Sequence, residues 1–282
     1  MRRLRVLLCW SPTEENSWNP DLADFLRAGG DEVAEVHDLA SLDALDLSGF
    51  DACLPRFRMG SAEMVCLDER LVASGIPMIN SQRCRRICEN KALAHLAFAG
   101  LDIPQPRSFV ISEEGLTDRD LVWTGETVVK PLSGNRGAGI QIVPTFDEAI
   151  EVARERREDL LVQEMIWPAR CWRLIVGRHS GIADAYWRRP AAAGDRILSI
   201  STGAEIVREP PSRALQEVSR AMLTAVDGGI LAVDVLEAER GAVYALEINH
   251  NFDAHGGTPE AGSAFRREVM AVSAPISRAA DV

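Results

Sequence analysis

The sequence predicts an α/β (α+β) fold in which a small parallel sheet is followed by antiparallel sheets. Over about the first eighty residues, short apolar runs alternate with helical segments, a pattern typical of a parallel sheet flanked by helices. Residues 128–143 read as a strand, a glycine-rich loop and a second strand, which predicts a hairpin. From residue 160 onward, strand-like runs follow one another with one helical interruption, which indicates antiparallel pairing.

The N-terminal part, residues 1–83, is predicted to be a parallel α/β domain. Its first apolar run, residues 5–10, is too short for a signal peptide before polar residues interrupt it at 11–15, so we interpret it as the first buried strand of a cytosolic protein. No apolar run reaches the roughly 18 residues that a membrane span requires. The predicted strands are 5–10, 32–37, 52–55 and 75–82, and the predicted helices are 19–28 and 62–74.

Two further domains are predicted, a central one at 84–163 and a C-terminal one at 164–282. A helix is expected over 86–99 because Gly100 ends it, and the prolines that follow mark a linker into a strand. Thr145 and Glu148 form a capping box for a helix over 148–157. The remaining predicted strands are 160–166, 172–177, 182–187, 230–236 and 242–249, with a helix over about 212–226.

The composition argues against several classes of protein. The formal net charge is −11 over 282 residues and the basic residues are dispersed, which argues against a nucleic acid as the main partner. The six cysteines include no C-x-x-C pair, so neither a disulfide framework nor a structural zinc site is expected. A phosphate site in such an acidic chain must be a local exception.

The stretch VVKPLSGNRGAGIQIV, residues 128–143, places Lys130 before three glycines. A Walker-type phosphate loop carries its lysine after the last glycine, and a dinucleotide fingerprint leads into a helix, so neither motif is present. Glycines let backbone N–H groups approach anionic oxygens closely, so this loop could cover a polyphosphate that Lys130 also reaches. The alternative is an ordinary surface hairpin whose glycines serve only the turn.

Two carboxylates are predicted to face each other in ILAVDVLEAERGAVYALEINHN. A turn centred between Arg240 and Gly241 pairs Asp234 directly with Glu247, and Asn249 joins the same face two residues later. Like charges at this distance repel unless a cation or a shared proton relieves them, and so small a set of oxygen ligands suits Mg²⁺ bound together with substrate phosphates. The alternative is that one carboxylate faces solvent or pairs with an arginine.

With a lysine before a glycine loop and acidic residues on a later hairpin, the chain resembles the ATP-grasp superfamily, and within it the RimK/LysX-like carboxylate–amine ligases. The similarity covers nearly the whole chain and implies three parts: an N-terminal parallel α/β domain, a small central lid subdomain and a C-terminal antiparallel-sheet subdomain. The motifs that carry it are, in order, ACLPRFRMG, GIPMINSQ, ENKALAHLAFAGLDIPQP, VVKPLSGNRGAGI, LLVQEMI, VDVL and LEINHN.

The resemblance implies a site for ATP and Mg²⁺, for which Mn²⁺ could substitute. In this family two lysines and the glycine hairpin hold ATP between two sheets, so the loop is expected to act as a lid. The implied metal ligands are Asp234, Glu247 and Asn249. The implied nucleotide contacts are Lys91, Lys130, Ser133, Gly134, Gly137, Gly139, Gln163, Glu164, Met165 and Ile166.

The reaction implied by the resemblance joins an acid to an amine. The substrate carboxylate attacks the γ-phosphate of ATP, and the amine then displaces phosphate from the acyl phosphate, which leaves an amide, ADP and phosphate. Arg173 aligns with a family arginine thought to neutralise the transferring phosphoryl group. Arg188 takes the next basic position, with Arg189 as a competing candidate. Arg173 or Arg188 could instead be a solvated charge at a strand edge.

The chain departs from the family pattern around the substrates. Cys171 stands where the family usually has an acidic residue, and the segment 199–205 replaces an asparagine before two glycines. On the acceptor side, His250 and His255 are candidate contacts or bases for the amine, with plain polar packing as the alternative. Arg56 is a candidate for holding a substrate carboxylate, or else an ordinary surface arginine.

We therefore expect a cytoplasmic, ADP-forming ligase that acts on small, amino-acid-like molecules. The expected partners are small-molecule carboxylate and amine substrates and, at most, further copies of the chain, without nucleic acid or membrane. One alternative is an intramolecular ligase whose product is a ring. Another is a nucleotide-binding module without turnover, which the departures from the family pattern suggest.

Overall fold

The computed structural model describes residues 2–12, 18–112, 123–134, 137–192, 195–197, 203–255 and 257–273. Asn135 and Arg136 of the glycine loop, most of the 199–205 segment and part of the polar run 11–15 lie outside these ranges. In the described residues the strands form three sheets, of three, four and five strands. One is parallel and two are antiparallel, so the predicted α/β class is confirmed.

The N-terminal sheet is parallel, with the strand order β2-β1-β3. Its elements and their helices are β1 (Arg5–Trp10), α1 (Trp18–Ala28), β2 (Glu32–Val36), α2 (Leu39–Asp43), β3 (Ala52–Arg56) and α3 (Ala62–Ser74). The four central residues of β1 are all buried, as expected of a strand that is covered on both faces. The predicted strands and helices up to residue 74 are confirmed to within one residue, whereas α2 has no counterpart in the prediction.

The predicted strand over 75–82 is wrong for most of its length. Only Met78 pairs with the sheet, opposite Cys53, and the chain then leaves it. The side chain of Asn80 is buried there and hydrogen-bonds the backbone of Gly229 and Ile230, at the start of a strand far along the chain. These contacts connect the N-terminal part directly to the C-terminal sheet.

The predicted single helix over 86–99 is also wrong. The structure has two helices there, α4 (Gln82–Cys88) and α5 (Lys91–Ala99). Asn90 lies between them in an extended conformation, and its side chain accepts hydrogen bonds from the backbone N–H groups of Ala92 and Leu93. Because this cap starts a new helix, Lys91 becomes the first residue of α5.

The second sheet is antiparallel, with the strand order β4-β7-β5-β6. Its elements are β4 (Ser108–Ile111), β5 (Thr127–Pro131), β6 (Gln141–Val143), α6 (Phe146–Arg156) and β7 (Leu160–Glu164). The predicted glycine hairpin is confirmed, because β5 and β6 pair with Val128 opposite Ile142. Helix α6 begins after Thr145, whose side chain accepts from the N–H of Glu148 as the sequence predicts.

The third sheet is antiparallel, with the strand order β10-β9-β8-β11-β12. Its strands and helices are β8 (Pro168–Gly177), β9 (Gly181–Arg189), β10 (Glu205–Val207), α7 (Arg213–Ala225), β11 (Ile230–Ala238), β12 (Val243–Asn249) and α8 (Thr258–Val272). The predicted strands from residue 172 onward and the helix over 212–226 are confirmed, although β8 begins earlier than predicted. Strand β10 and helix α8 have no counterpart in the prediction.

The predicted register of the last hairpin is confirmed at the carboxylates. Asp234 pairs with Glu247, but Val235 pairs with Ala245, so Leu246 forms a bulge between the two pairs. Near the turn, the pairing is centred on Arg240 and not between Arg240 and Gly241 as predicted. The extra residue in the bulge shifts the register by one, so that Asp234 pairs with Glu247 as predicted.

Helices cover both faces of the third sheet. Helix α7 and part of α5 pack on one face, over Trp172, Leu174 and Val233. Helix α8 and the aromatic residues of α1 pack on the other face, over Ile175 and Ala232, and join it to the N-terminal sheet. The division into domains at 83/84 and 163/164 remains a prediction.

None of the helices within the described ranges is both long and apolar enough to cross a bilayer.

Candidate active site

Four polar side chains lie in one row across the third sheet. Asp234 on β11 lies opposite both Glu247 on β12 and Arg173 on β8, and Arg173 lies opposite Tyr186 on β9. Directly paired residues point to the same face of a sheet. These residues, Glu247, Asp234, Arg173 and Tyr186, form what we call the central row.

Two arginines bind the Asp234 carboxylate. Arg173 donates from Nε to Oδ1 at 2.7 Å and from Nη2 to Oδ2 at 2.8 Å, which is a bidentate pair. Arg188 donates from Nη2 to the same oxygens at 3.1 and 3.3 Å. Burial by itself would raise the pKa of Asp234, but the two guanidinium groups outweigh it and lower the pKa to about 2. The arginine partner considered as an alternative for this carboxylate is therefore present.

The choice between Arg188 and Arg189 follows from the strand geometry. Arg188 is buried beside Asp234, and its Nη1 lies 3.6 Å from the sulfur of Cys171. Arg189 points to the opposite face, where it is exposed, pairs with Glu205 at 3.5 Å and lies over the ring of Trp187. Arg188 is thus the one that contacts the central row.

The three predicted metal ligands, Asp234 on β11 and Glu247 and Asn249 on β12, differ in their present partners. Among the described residues, neither the carboxylate of Glu247 nor the amide of Asn249 has a hydrogen-bonding partner for its side chain, whereas Asp234 is bound by arginines. No three His, Cys, Asp or Glu side chains cluster as a metal site in the described part of the chain. Two carboxylates and an amide oxygen nevertheless match the donor set of Mg²⁺, which fills its other positions with water and phosphate oxygens.

Lys130 lies at the end of β5 and is close enough to Glu247 and Asp234 to interact with their charges. Its side chain is only 7% exposed, and its Nζ donates to Oε1 of Gln163 at 2.6 Å. Gln163 donates in turn to the hydroxyl of Ser108 at 2.8 Å. Burial is the main reason that the pKa of Lys130 falls from 10.5 to about 8, although Glu247 acts in the opposite direction.

Lys91 lies against the glycine loop. Its Nζ donates to the carbonyl oxygen of Gly134 at 3.1 Å, and its backbone N–H donates to Leu132 at 2.9 Å. Gly139 has a φ of +73°, and a Cβ atom there would lie 2.7 Å from a side-chain carbon of Pro131, so no other residue fits without strain. The structure thus brings both predicted lysines to the base of this loop, together with Ser133.

The tip of the glycine loop reaches the C-terminal part of the chain. A Cβ atom at Gly137 would lie 3.3 Å from a methyl group of Ile197, so the loop backbone passes close to the segment 195–197. The loop therefore approaches the connection between β9 and β10 of the third sheet.

The predicted adenine contacts lie where β7 ends. The Glu164 carboxylate accepts from Nε of Arg107 at 2.7 Å, and its backbone N–H donates to the carbonyl of the same residue. The N–H of Met165 donates to the carbonyl oxygen of Glu126 at 3.0 Å, so only its carbonyl remains for a ligand. Ile166 follows in the connection to β8. The adenine contact itself stays a prediction.

The structure does not support a substrate contact for Arg56 or His250. Arg56 is 1% exposed, and its guanidinium donates to Asn19 and to the backbone carbonyls of His250 and Phe252. His250 is also buried, with Nε2 at 3.0 Å from an oxygen of Glu89. Both side chains are buried and bound to protein groups.

His255 stays a candidate substrate contact. It is partly exposed, and its ring lies edge-on to Tyr186 with the ring centres 6.2 Å apart. Burial is the main cause of its lowered pKa, and Arg173 and Arg188 act in the same direction. The imidazole lies near the end of the central row, where burial and the arginines favour its neutral form against the opposing effect of Asp253 on its pKa.

Two residues near the site are absent from the sequence prediction. Tyr186 lies beside Arg173, and Arg208 binds Asp184 and donates to the carbonyl of His255 at 2.8 Å. Tyr186 could have been found, because it lies two residues before Arg188 on one strand and so shares its face. Arg208 follows β10, which the sequence does not predict.

Comparison with known proteins bears on the fold of the chain. No protein-family model matches the chain. Its sequence is similar to that of a tetrahydromethanopterin:α-L-glutamate ligase from Methanosarcina acetivorans, with 26% identity over 185 residues. The match covers 60% of this chain and 56% of that ligase, so the chain spans little more than half the length of its curated relative.

Two solved structures share the architecture over nearly the whole chain. D-alanine–D-alanine ligase from Bacillus anthracis in complex with ATP has a TM-score of 0.69 and 16% identity, covering 95% of this chain and 98% of that one. A RimK domain ATP-grasp protein from Sphaerobacter thermophilus has a TM-score of 0.62 and 20% identity, covering 93% and 99%. The predicted ATP-grasp fold is therefore confirmed.

Proposed function

We propose that the protein is an ATP-dependent, ADP-forming ligase that joins a carboxylate to an amine of a small, amino-acid-like molecule. The observation that carries this proposal is the position of Lys130 beside the central row. This arrangement places an excess of positive charge next to two oxygen donors, Glu247 and Asn249, whose side chains have no hydrogen-bonding partner among the described residues. Among the described residues, the three cations Arg173, Arg188 and Lys130 lie near the two carboxylates of Asp234 and Glu247, so the site attracts an anion such as a triphosphate.

In this proposal ATP lies between the second and third sheets. Lys130 and Lys91 contact its phosphates, and the loop containing Ser133, Gly134, Gly137 and Gly139 covers them with backbone N–H groups. The adenine lies at the end of β7, at Gln163, Glu164, Met165 and Ile166. Burial of Lys130 serves this role, because a poorly hydrated ammonium group loses little hydration when it binds a phosphate.

The central row serves the chemical step. The substrate carboxylate attacks the γ-phosphorus, which forms an acyl phosphate and ADP, and the amine then displaces phosphate and forms the amide. Arg173 and Arg188 neutralise charge that develops on the transferring phosphoryl oxygens. Glu247, Asn249 and Asp234 would hold Mg²⁺, which neutralises phosphate charge when bound. Neutral His255 would accept a proton from the attacking amine.

The names of similar proteins support the reaction class. The curated relative is a glutamate ligase, and one structural neighbour is a D-alanine–D-alanine ligase that was solved with ATP. Both names describe enzymes that act on amino acids. To identify the acid and the amine used by this chain, ADP release is measured with pairs of amino acids, and the masses of the products are then determined by mass spectrometry.

A second candidate function is nucleotide binding without turnover. The observation that favours it is the saturation of Asp234 by two arginines, which leaves its oxygens less able to bind a metal ion. Cys171, in place of the acidic residue usual in this family, points the same way. Tight ATP binding without phosphoryl transfer to any acid would support this function over ligation.

The first prediction concerns Glu247. Since its carboxylate accepts no hydrogen bond among the described residues, Glu247→Ala should lower kcat at least about a hundredfold. The free energy of unfolding should change by less than about 1 kcal/mol, which includes the loss of the charge interaction with Lys130. Asp234→Ala should in addition destabilise the fold by about 3 kcal/mol or more, because two buried arginines lose their partner. Urea unfolding and steady-state kinetics measure both effects.

The matched control for Glu247 is Glu205→Ala, which removes an exposed carboxylate from the edge of the same sheet. It should leave both kcat and stability near the wild-type values. Wild-type turnover of the Glu247 variant at saturating Mg²⁺ would contradict the metal assignment.

The second prediction concerns Lys130 and pH. The unfolded chain keeps the proton up to about pH 10.5, whereas the folded protein releases it above about pH 8. The cost of burying this charge is therefore complete below pH 8 and is relieved between pH 8 and 10.5. The stability of the wild type relative to Lys130→Met should thus rise by on the order of 2 to 3 kcal/mol between pH 7 and 10.

Urea unfolding of both proteins at the two pH values measures this change. The lost hydrogen bond to Gln163 affects the variant equally at both values and cancels. Lys91→Met is the matched control: it should weaken ATP binding as Lys130→Met does, without the change in relative stability. A stability difference that does not vary with pH would show that Lys130 is not buried as a charge.

The third prediction tests the reaction class. If an acyl phosphate forms, a substrate carboxylate labelled with ¹⁸O must pass one labelled oxygen to inorganic phosphate, because that oxygen attacks phosphorus and leaves with it. Mass spectrometry of the phosphate measures this transfer. Label in AMP would indicate an adenylating ligase, and label retained wholly by the acid and amide would exclude an acyl phosphate.

A further inference from the structure

Arg56 is the most completely enclosed cation of the N-terminal sheet. It ends β3, and its guanidinium carbon lies 4.9 Å from the ring centres of Trp18 and Phe252 and 5.4 Å from that of Phe265. Its Nε donates to Oδ1 of Asn19 at 2.7 Å. Burying a charged guanidinium is costly unless its N–H groups are hydrogen-bonded and the aromatic rings stabilise the charge. Such an arrangement argues that Arg56 has a defined role.

The remaining donors of Arg56 reach the chain directly after the predicted metal strand. Nη1 donates to the carbonyl oxygen of His250 at 3.1 Å, and Nη2 donates to that of Phe252. Asn249, the last residue of β12, immediately precedes these two carbonyls. Since a guanidinium is a rigid planar group, the two hydrogen bonds fix both the position and the direction of this turn.

A second contact holds the same turn from the other side. The ring of His250 lies 3.0 Å from an oxygen of Glu89, the residue that directly follows α4. The Glu89 carboxylate also accepts from the backbone N–H of Met59, in the loop after β3. The end of β12 is therefore tied through Arg56 and Glu89 to the loop that follows the N-terminal sheet.

We propose that Arg56, together with Glu89, is a positioning residue that holds Asn249, and with it Glu247, in the orientation needed to bind a divalent cation beside the nucleotide. This inference rests on the proposed function. In this proposal the N-terminal sheet supports the metal site through Arg56, although the predicted metal ligands all lie on the third sheet. Partners that orient a ligand typically change metal affinity by about 10- to 100-fold when they are lost.

The test is Mn²⁺ binding, followed by the electron paramagnetic resonance signal of free Mn²⁺ in the presence of saturating ADP. Arg56→Lys keeps the charge but loses the rigid two-point contact, and should weaken Mn²⁺ binding by about tenfold. The affinity for ADP without metal should change less than twofold. A general loss of structure would instead weaken the binding of both Mn²⁺ and ADP. Glu89→Ala, at a side chain that is 23% exposed, removes the contact with His250 and should weaken Mn²⁺ binding by about threefold.

Arg266→Lys is the matched control. Arg266 is also a buried arginine. It lies on α8 and donates to Asp31 and to the carbonyl of Arg2, next to the N-terminal sheet, and none of its hydrogen bonds within the described residues reaches the turn after β12. Its variant should bind Mn²⁺ within twofold of the wild type. If Arg56→Lys does not fold, Glu89→Ala decides the matter.

Equal Mn²⁺ affinity in the wild type, Arg56→Lys and Glu89→Ala would overturn the positioning role and leave the proposed function intact. Equal weakening by Arg266→Lys would also overturn it, since the effect would then be a general one. A wild-type protein that binds no Mn²⁺ with ADP would overturn the proposed function and the positioning role together.

Discussion

The site depends on the contact of one buried carboxylate with two arginines. Asp234 would be costly to bury alone, and Arg173 and Arg188 would be equally costly without it, so the three side chains stabilise one another as a unit. The unit carries a net positive charge and lies beside Lys130. An anionic ligand can neutralise this excess positive charge. The ion pairs that offset the cost of burying Asp234 therefore also favour the binding of a phosphate.

The backbone of the third sheet keeps this unit in place. Val233 and Val235, which flank Asp234 in sequence, point to the opposite face and pack beneath α7. On the face of Asp234 itself, Ala232 packs beneath α8 and α1. A shift of β11 by one residue would turn the carboxylate into an apolar core, so packing on both faces fixes the register on which the central row depends.

The sequence was sufficient for features set by local periodicity. The pairing of Asp234 with Glu247 follows from strand alternation and a glycine turn, and the glycine hairpin follows from its composition. The burial of Arg56 was not predictable, because Trp18, Phe252 and Phe265 reach it from distant segments. The choice of Arg188 over Arg189 likewise required the register of β9 against β8. The cap at Asn90 was visible in the sequence, but the apolar periodicity across it favoured one continuous helix.

The most direct test of the central claim is a crystal structure with Mg²⁺ and a non-hydrolysable ATP analogue. The triphosphate should lie between Lys130 and the central row, with oxygens of Glu247 and Asn249 about 2.1 Å from a magnesium ion. Arg173 and Arg188 should lie within hydrogen-bonding distance of the γ-phosphate. A nucleotide bound elsewhere, or one whose phosphates touch neither Lys130 nor the central row, would contradict the account.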